Sequence, residues 1–138
     1  MLAYWGNDLI CRFANQAYKI WFGIEPDQVI GKSMQEVLGP QLFAMNQGYI
    51  QGALRGEAQS FERIVPGPDG VQRHSLADYI PDIVDGKVMG FMVQVTDVTR
   101  LKEAEAALRE SRSQLRSLAA SREEAREQER KLIAREIH

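Results

Sequence analysis

The strongest constraint in this sequence is an abrupt change of composition at residue 100. All eleven glycines, all five prolines and every Phe, Tyr and Trp of the 138 residues come before Arg100. The segment from Arg100 to His138 has none of them, and it is rich in Arg, Lys and Glu with interspersed Ala and Leu. Such a composition forms one long helix and cannot build a core of its own. We therefore expect a globular domain over residues 1–99 and a single helix over residues 100–138.

Whole-chain composition limits the classes of function. A hydrophobic content of 44% is enough for a globular core, and a formal net charge of −2 gives no reason to expect nucleic acid as a partner. The lone cysteine, Cys11, cannot form an internal disulfide and points to a reducing compartment. No apolar run is long enough to span a bilayer, and no signal peptide is evident. We expect a cytoplasmic location, and a membrane anchor upstream in a longer parent chain stays open.

The spacing of apolar residues changes partway through the globular region. A short strand over residues 9–16 precedes several short helices between residues 17 and 56, with Pro26 near one helix start. From residue 60 the period shortens to two, and two strands flank the turn "PGPDG". A last strand covers residues 86–98. This order predicts an α+β fold with an antiparallel sheet.

Four segments, taken in order, resemble the PAS domain over residues 1–99. They are "CRFANQAY", with Asn15 and Ala17; "PDQVIGK"; "FERIVPGPDGVQRH"; and "GKVMGFMVQVTDVT", which ends on Asp97, Val98 and Thr99. The resemblance implies a PAS fold, in which small helices cover one face of an antiparallel sheet. It also implies a sensor that either binds a small molecule between sheet and helices or uses the sheet as a dimer surface. The chain begins at "MLAYW" without the family's capping segment, which predicts an exposed sheet edge or face.

Candidate pocket residues follow from strand alternation and from the resemblance. Alternation about Arg12 places Cys11 and Phe13 inward. The full set of candidates is Cys11, Phe13, Trp21, Phe61, His74, Leu76, Phe91 and Val93. The apolar members line a pocket or simply fill the core, and His74 with Arg73 could reach a carboxylate or face solvent. No cofactor is evident, and an unknown small organic ligand is the remaining possibility.

Flavin and haem are the two cofactors that the resemblance raises. The run "CRF" is similar to the Asn-Cys-Arg-Phe run of flavin photoreceptors, but Ile10 precedes Cys11 here and the run lies on an early strand. Haem needs an axial histidine, and the helix predicted over residues 40–56 has none. No second Cys or His stands at metal-ligand spacing, so we expect no metal site. A flavin or haem sensor of light or redox state remains an alternative.

The predicted C-terminal helix has a heptad pattern. Leucines recur every seven residues in one row, and a second row of small or apolar residues runs beside it. The rows are Leu101, Leu108 and Leu115, and then Ala104, Ser111, Leu118, Ala125 and Leu132. Two such rows indicate a coiled-coil seam, here called the leucine seam (Leu101, Leu108, Leu115 and Leu118), and favour a parallel homodimer over a solvated single helix.

The end of the chain resembles a phosphoacceptor helix. The linker "DVTRLKEAEAAL" occurs in several signalling proteins, and Asp97 and Thr99 mark the signal junction. The tail "EEAREQERKLIAREIH" resembles the dimerisation helix of nitrate-sensor-class histidine kinases, which implies that His138 accepts a phosphoryl group. This implies an ATP-binding kinase domain in the parent chain and a response regulator as partner. These residues lack a glycine-rich nucleotide loop, so we expect no enzyme activity from them alone. A PAS module feeding a diguanylate cyclase is the other alternative.

Overall fold

The computed structural model describes residues 1–136 in full and the backbone of Ile137. Its elements are β1 (Leu2–Gly6), β2 (Cys11–Ala14), α1 (Tyr18–Phe22), α2 (Pro26–Val29), α3 (Met34–Leu38), α4 (Pro40–Leu54), β3 (Gln59–Pro66), β4 (Gln72–Val84), β5 (Lys87–Asp97) and α5 (Thr99–Ile137). Residue contacts divide the chain into a unit of residues 1–99 and a second unit that begins at Arg100. The predicted α+β class and the long C-terminal helix are confirmed.

The five strands form one antiparallel sheet in the order β2-β1-β5-β4-β3. The last strand in sequence, β5, therefore lies at the centre, with β1 on one side and β4 on the other. Helix α4 contacts β3, β4 and β5, so it packs on the half of the sheet that contains the long strands. Proline at the first position of α2 and of α4 fits the start of a helix, where no backbone N–H is needed.

Alternation along the long strands separates an inner face from an outer face. The inner face is buried and carries Phe61, Arg63 and Val65 from β3, Ser75, Ala77 and Tyr79 from β4, and Phe91, Val93 and Val95 from β5. The residues between them face outward. On that outer face a cross-strand row, here called the outer row, runs through Phe13, Tyr4, Met92 and Ile80. The core therefore lies between the inner face and the helices.

Phe13 does not point inward as the sequence predicted. Tyr4 pairs with Phe13 and Trp5 pairs with Cys11, which leaves Arg12 as an extra residue at a register shift. Such a bulge breaks the alternation of side chains. Cys11 is accordingly buried while Phe13 is 48% exposed, so the inward prediction for Phe13 is wrong.

Leu76 and His74 also lie outside the space between sheet and helices. Both are half-buried residues of β4 that alternate with the buried Ser75 and Ala77. Since neighbouring residues of a strand face opposite sides of the sheet, Leu76 and His74 belong to the outer face. Neither residue therefore lines the space between sheet and helices, where a PAS pocket was expected.

Helix α5 is 39 residues long, or about 58 Å at 1.5 Å per residue. Each residue of the leucine seam has more than half of its surface exposed in this chain. Ion pairs between side chains three residues apart, such as Lys102 with Glu105 and Glu127 with Arg130, lie on its surface. Within the described residues, no helix is both long and apolar enough to cross a membrane.

Candidate functional site

The junction between β5 and α5 is held by a compact hydrogen-bond network. One carboxylate oxygen of Asp97, Oδ1, accepts the backbone N–H of Thr99 at 2.9 Å and the Thr99 hydroxyl at 2.6 Å. The hydroxyl oxygen of Thr99 accepts the backbone N–H of His74 at 3.0 Å. The backbone N–H of Val98 donates to the His74 carbonyl at 2.8 Å. The first residue of α5 is thus bonded both to the end of β5 and to β4.

Arg73, the neighbour of His74, is already paired. Its Nη2 and Nη1 atoms lie 2.8 Å and 3.2 Å from the two carboxylate oxygens of Asp69. These hydrogen bonds lower the pKa of Asp69 to about 2. The guanidinium therefore fixes the β3–β4 turn, and its charge is engaged by Asp69 rather than directed at a ligand.

Five of the predicted pocket residues lie in the buried core: Cys11, Trp21, Phe61, Phe91 and Val93. The ring of Phe61 stacks on Tyr49 at 3.8 Å between centroids and meets Tyr79 edge-on at 5.0 Å. Tyr79 in turn contacts Phe91, at 5.1 Å. The structure thus brings Phe61 and Phe91 into one aromatic wall through Tyr79. Burial raises the pKa of the Cys11 thiol, so that side chain is a neutral core group.

A buried polar cluster lies against this wall and was missed by the sequence predictions. It consists of Asn46 on α4, Arg63 on β3 and Tyr79 on β4, and is called the polar centre below. Asn46 is 2% exposed and Arg63 is 8% exposed. Burial raises the pKa of the Tyr79 phenol, while the nearby Arg63 and Asn46 act in the opposite direction. The available sequence signal was the period of two along β3, which places Arg63 on the same face as Phe61.

Several nitrogens of the polar centre lack partners. Three buried nitrogens form no hydrogen bond within the described residues: Nε and Nη1 of Arg63 and Nδ2 of Asn46. Buried polar groups are normally paired, because an unpaired one loses its bonds to water without replacement. The three atoms therefore mark the polar centre as an unsatisfied site.

An apolar groove of about 460 Å³ is lined in part by α4 and β3, the two elements that carry Asn46 and Arg63. It runs along the start of α4 and the end of β3, and its apolar lining includes Phe22, Leu38, Leu42, Met45, Ile64 and Val65. Met45 directly precedes Asn46, and Val65 is the next inward residue of β3 after Arg63. The groove thus reaches both elements that contribute the unpaired nitrogens.

Two further predictions concern metals and the phosphoacceptor. Residues 1–137 contain no group of three or more His, Cys, Asp or Glu side chains arranged to hold a metal ion. His138 lies outside the described residues, so its assignment as phosphoacceptor stays a prediction.

Replacing Thr99 with valine is expected to destabilise the globular domain by about 1–3 kcal/mol, because the His74 N–H loses its acceptor. Valine keeps the shape of the side chain and removes only the hydroxyl. The matched control is Thr96→Val, on the exposed side of β5, with an expected change within about 0.5 kcal/mol. Urea unfolding of both variants measures the difference. Equal stabilities for the two variants would show that the junction network contributes nothing.

Comparison with known proteins identifies related folds. Residues 1–103 match the family model described as PAS fold. The search of curated proteins found no match. Among solved structures, the PAS domain of Bordetella pertussis BvgS has 24% sequence identity and a TM-score of 0.61, with 80% of this chain and 87% of that chain covered. The PAS domain of histidine kinase ThkA has 13% identity and a TM-score of 0.56, over 70% of this chain and 96% of that one.

The VqmA dimer of Vibrio cholerae gives a similar result, with 22% identity and a TM-score of 0.62. The alignment covers 72% of this chain and 46% of that chain. The present chain therefore spans about half the length of the VqmA chains that it matches. At these sequence identities the similarity shows a shared fold and nothing further.

Proposed function

The chain belongs to the PAS fold family, and from that membership we propose that it is the sensory and dimerisation segment of a two-component histidine kinase. In this proposal the PAS domain receives the signal, α5 pairs with α5 of a second copy, and the signal changes access to His138. The observation that carries the proposal is the hydrogen-bonded path from the sheet to the first residue of α5.

The position of β5 makes this path suitable for transmitting a signal. β5 lies at the centre of the sheet, its inner face carries Phe91 and Val93, and it ends at Asp97. A displacement of β5 by a ligand on the inner face acts directly on Asp97 and hence on Thr99. A shift of this kind changes the register or rotation of a helix pair, which is an established form of switching.

Dimerisation is supported by two exposed apolar surfaces. The leucine seam recurs at coiled-coil spacing on an otherwise largely charged helix, and a second copy is its simplest partner. The outer row of the sheet adds Phe13, Met92 and Ile80, all exposed on the side away from the core. PAS domains commonly dimerise, and an apolar sheet face suits that use.

The phosphoacceptor role depends on the tail sequence. Its resemblance to nitrate-sensor-class kinases aligns His138 with the histidine that attacks the γ-phosphate of ATP. A neutral imidazole nitrogen is the required nucleophile, and ATP must be supplied by a kinase domain of the parent chain. The phosphoryl group then passes to a response regulator. The shared fold of the ThkA PAS domain is compatible with this proposal.

The test is phosphoryl transfer in the parent chain. Incubation with γ-labelled ATP is expected to label the protein with an acid-labile phosphoryl group, and His138→Gln is expected to abolish the label. The control is His74→Gln, which removes the other histidine of this sequence and is expected to keep the label. Labelling that survives His138→Gln, or a parent chain that converts GTP to a cyclic dinucleotide, would refute the kinase proposal.

A further inference from the structure

Arg63 is a buried cation whose charge has no acidic partner in the contacts that define the polar centre. Its guanidinium carbon lies 5.8 Å from the centroid of the Phe61 ring. A cation–π contact stabilises the charge in part but gives no acceptor to the N–H groups. Nε and Nη1 consequently remain unpaired in a side chain that is 8% exposed. Arginine is seldom buried this deeply unless it is paired, because removing a charge from water is costly.

The unpaired atoms define the chemistry of the missing group. Arg63 Nε, Arg63 Nη1 and Asn46 Nδ2 are all hydrogen-bond donors, so their partner must be an acceptor. A carboxylate supplies acceptor oxygens for such donors and one negative charge for one cation. Water would fill the hydrogen bonds and leave the charge without a counterion.

The apolar residues near Arg63 indicate the chemistry of the organic part of such a ligand. The guanidinium lies over Phe61, which belongs to the aromatic wall with Tyr79 and Phe91. The apolar groove is lined by Val65 of the same strand and by Met45, the neighbour of Asn46. A carboxylate held at Arg63 therefore has apolar and aromatic surface beside it, and its organic part would be buried there. The fit is to a compact molecule with one charged end and an apolar body.

We propose that the polar centre is the anchor of a binding site for a small organic monocarboxylate. Arg63 forms the ion pair, and Asn46 donates a further hydrogen bond to the same carboxylate. This inference rests on the sensory half of the proposed function, because it names the class of molecule that the PAS domain detects. It is independent of the kinase half.

The test compares acids with their neutral amides on the complete 138-residue chain. The probes are phenylacetate and octanoate, with phenylacetamide and octanamide as isosteres, measured by isothermal titration calorimetry. At least one acid is expected to bind about tenfold or more tightly than its amide, the usual advantage of a hydrogen-bonded charge. Arg63→Met is expected to abolish that preference. The matched control, Arg73→Met, removes an arginine already paired with Asp69 and is expected to retain it.

Thermal unfolding separates a binding role from a structural one. Without ligand, Arg63→Met is expected to keep or raise the melting temperature, because it removes an unpaired buried charge. The acid is expected to raise the melting temperature of the parent sequence, and this increase is expected to be absent in Arg63→Met. A lowered melting temperature together with undiminished acid binding would overturn the proposal, and so would acids that bind no better than amides or not at all. Inorganic phosphate binding through Arg63 as tightly as the acids would overturn the carboxylate assignment.

The two proposals fail in distinguishable ways. If the chain binds a carboxylate through Arg63 but the parent chain carries no label on His138, the binding site is supported and the kinase role is refuted. If the parent chain is labelled on His138 but its PAS domain binds none of the acids, the kinase role is supported and the carboxylate site is refuted.

Discussion

Replacing Leu108 and Leu115 together with glutamate is expected to convert a dimer of this chain into monomers. Both leucines are more than half exposed in the single chain and lie seven residues apart in the leucine seam. A dimer contains two copies of each, and burial of one leucine contributes about 1.5–3 kcal/mol. Losing the four side chains therefore removes about 6 kcal/mol or more of association free energy, a factor of at least about 10⁴ in the dissociation constant.

Light scattering of the purified chain over a range of concentrations measures this effect. The matched control is Ala106→Glu with Ser113→Glu, which adds the same two charges at the same spacing on the other side of α5. The control is expected to remain a dimer. A parent sequence that is monomeric at high concentration, or a control that dissociates as readily as the seam variant, would rule out pairing through this seam.

Replacing Gly90 with alanine is expected to destabilise the globular domain by about 3 kcal/mol, at the upper end of the cost of overpacking. Gly90 pairs with Gly6 across the centre of the sheet. A Cβ atom at Gly90 would overlap the carbonyl oxygen of Trp5 and lie 3.0 Å from Cα of Gly6. Both are backbone atoms of a paired strand, so they cannot move aside as a flexible side chain can. This cost is a large fraction of the stability of an ordinary domain.

The same substitution at Gly48 is expected to have the opposite sign. Gly48 lies within α4, and a Cβ atom there meets nothing within 4 Å apart from the adjoining backbone of its own helix. Alanine in a helix interior is favoured over glycine by about 1 kcal/mol. Urea unfolding of Gly48→Ala and Gly90→Ala measures both changes on one scale. A Gly90→Ala variant as stable as the parent sequence would contradict the close approach of β1 and β5, whatever the result at Gly48.

Much of the fold could be predicted because its signals are local and repetitive. The change of composition at Arg100 predicts α5, and the period of two on either side of "PGPDG" predicts β3 and β4. The orientation of Phe13 could not be predicted in the same way. It depends on a register shift between β1 and β2 that is set by the pairing of the two strands, and one extra residue, Arg12, reverses every later side chain.

The polar centre could not be predicted because two sequence signals conflict at Arg63. The inward placement of Phe61 was predicted, and alternation then requires Arg63 to face inward as well. Arginine is usually exposed because of its charge, so the residue type predicts an outward Arg63 while the period of two along β3 predicts an inward one. Where the two signals conflict, the conflict itself marks a site of interest, since a protein seldom buries an unpaired charge without a use. Asn46 carries no comparable signal, because helix α4 is only weakly patterned.

The central position of β5 also fixes the order in which the protein can fold during synthesis. A nascent chain that ends before Lys87 holds β1 with β2 and β3 with β4, and no strand pairing joins the two pairs. Isolated hairpins are marginal in water, so the sheet closes only after Asp97 has been added. At about 5–20 residues per second, the 21 residues from Val98 to Leu118 then take about 1–4 seconds to synthesise. In the proposed dimer, each globular domain therefore has time to fold within its own chain before the leucine seam is complete.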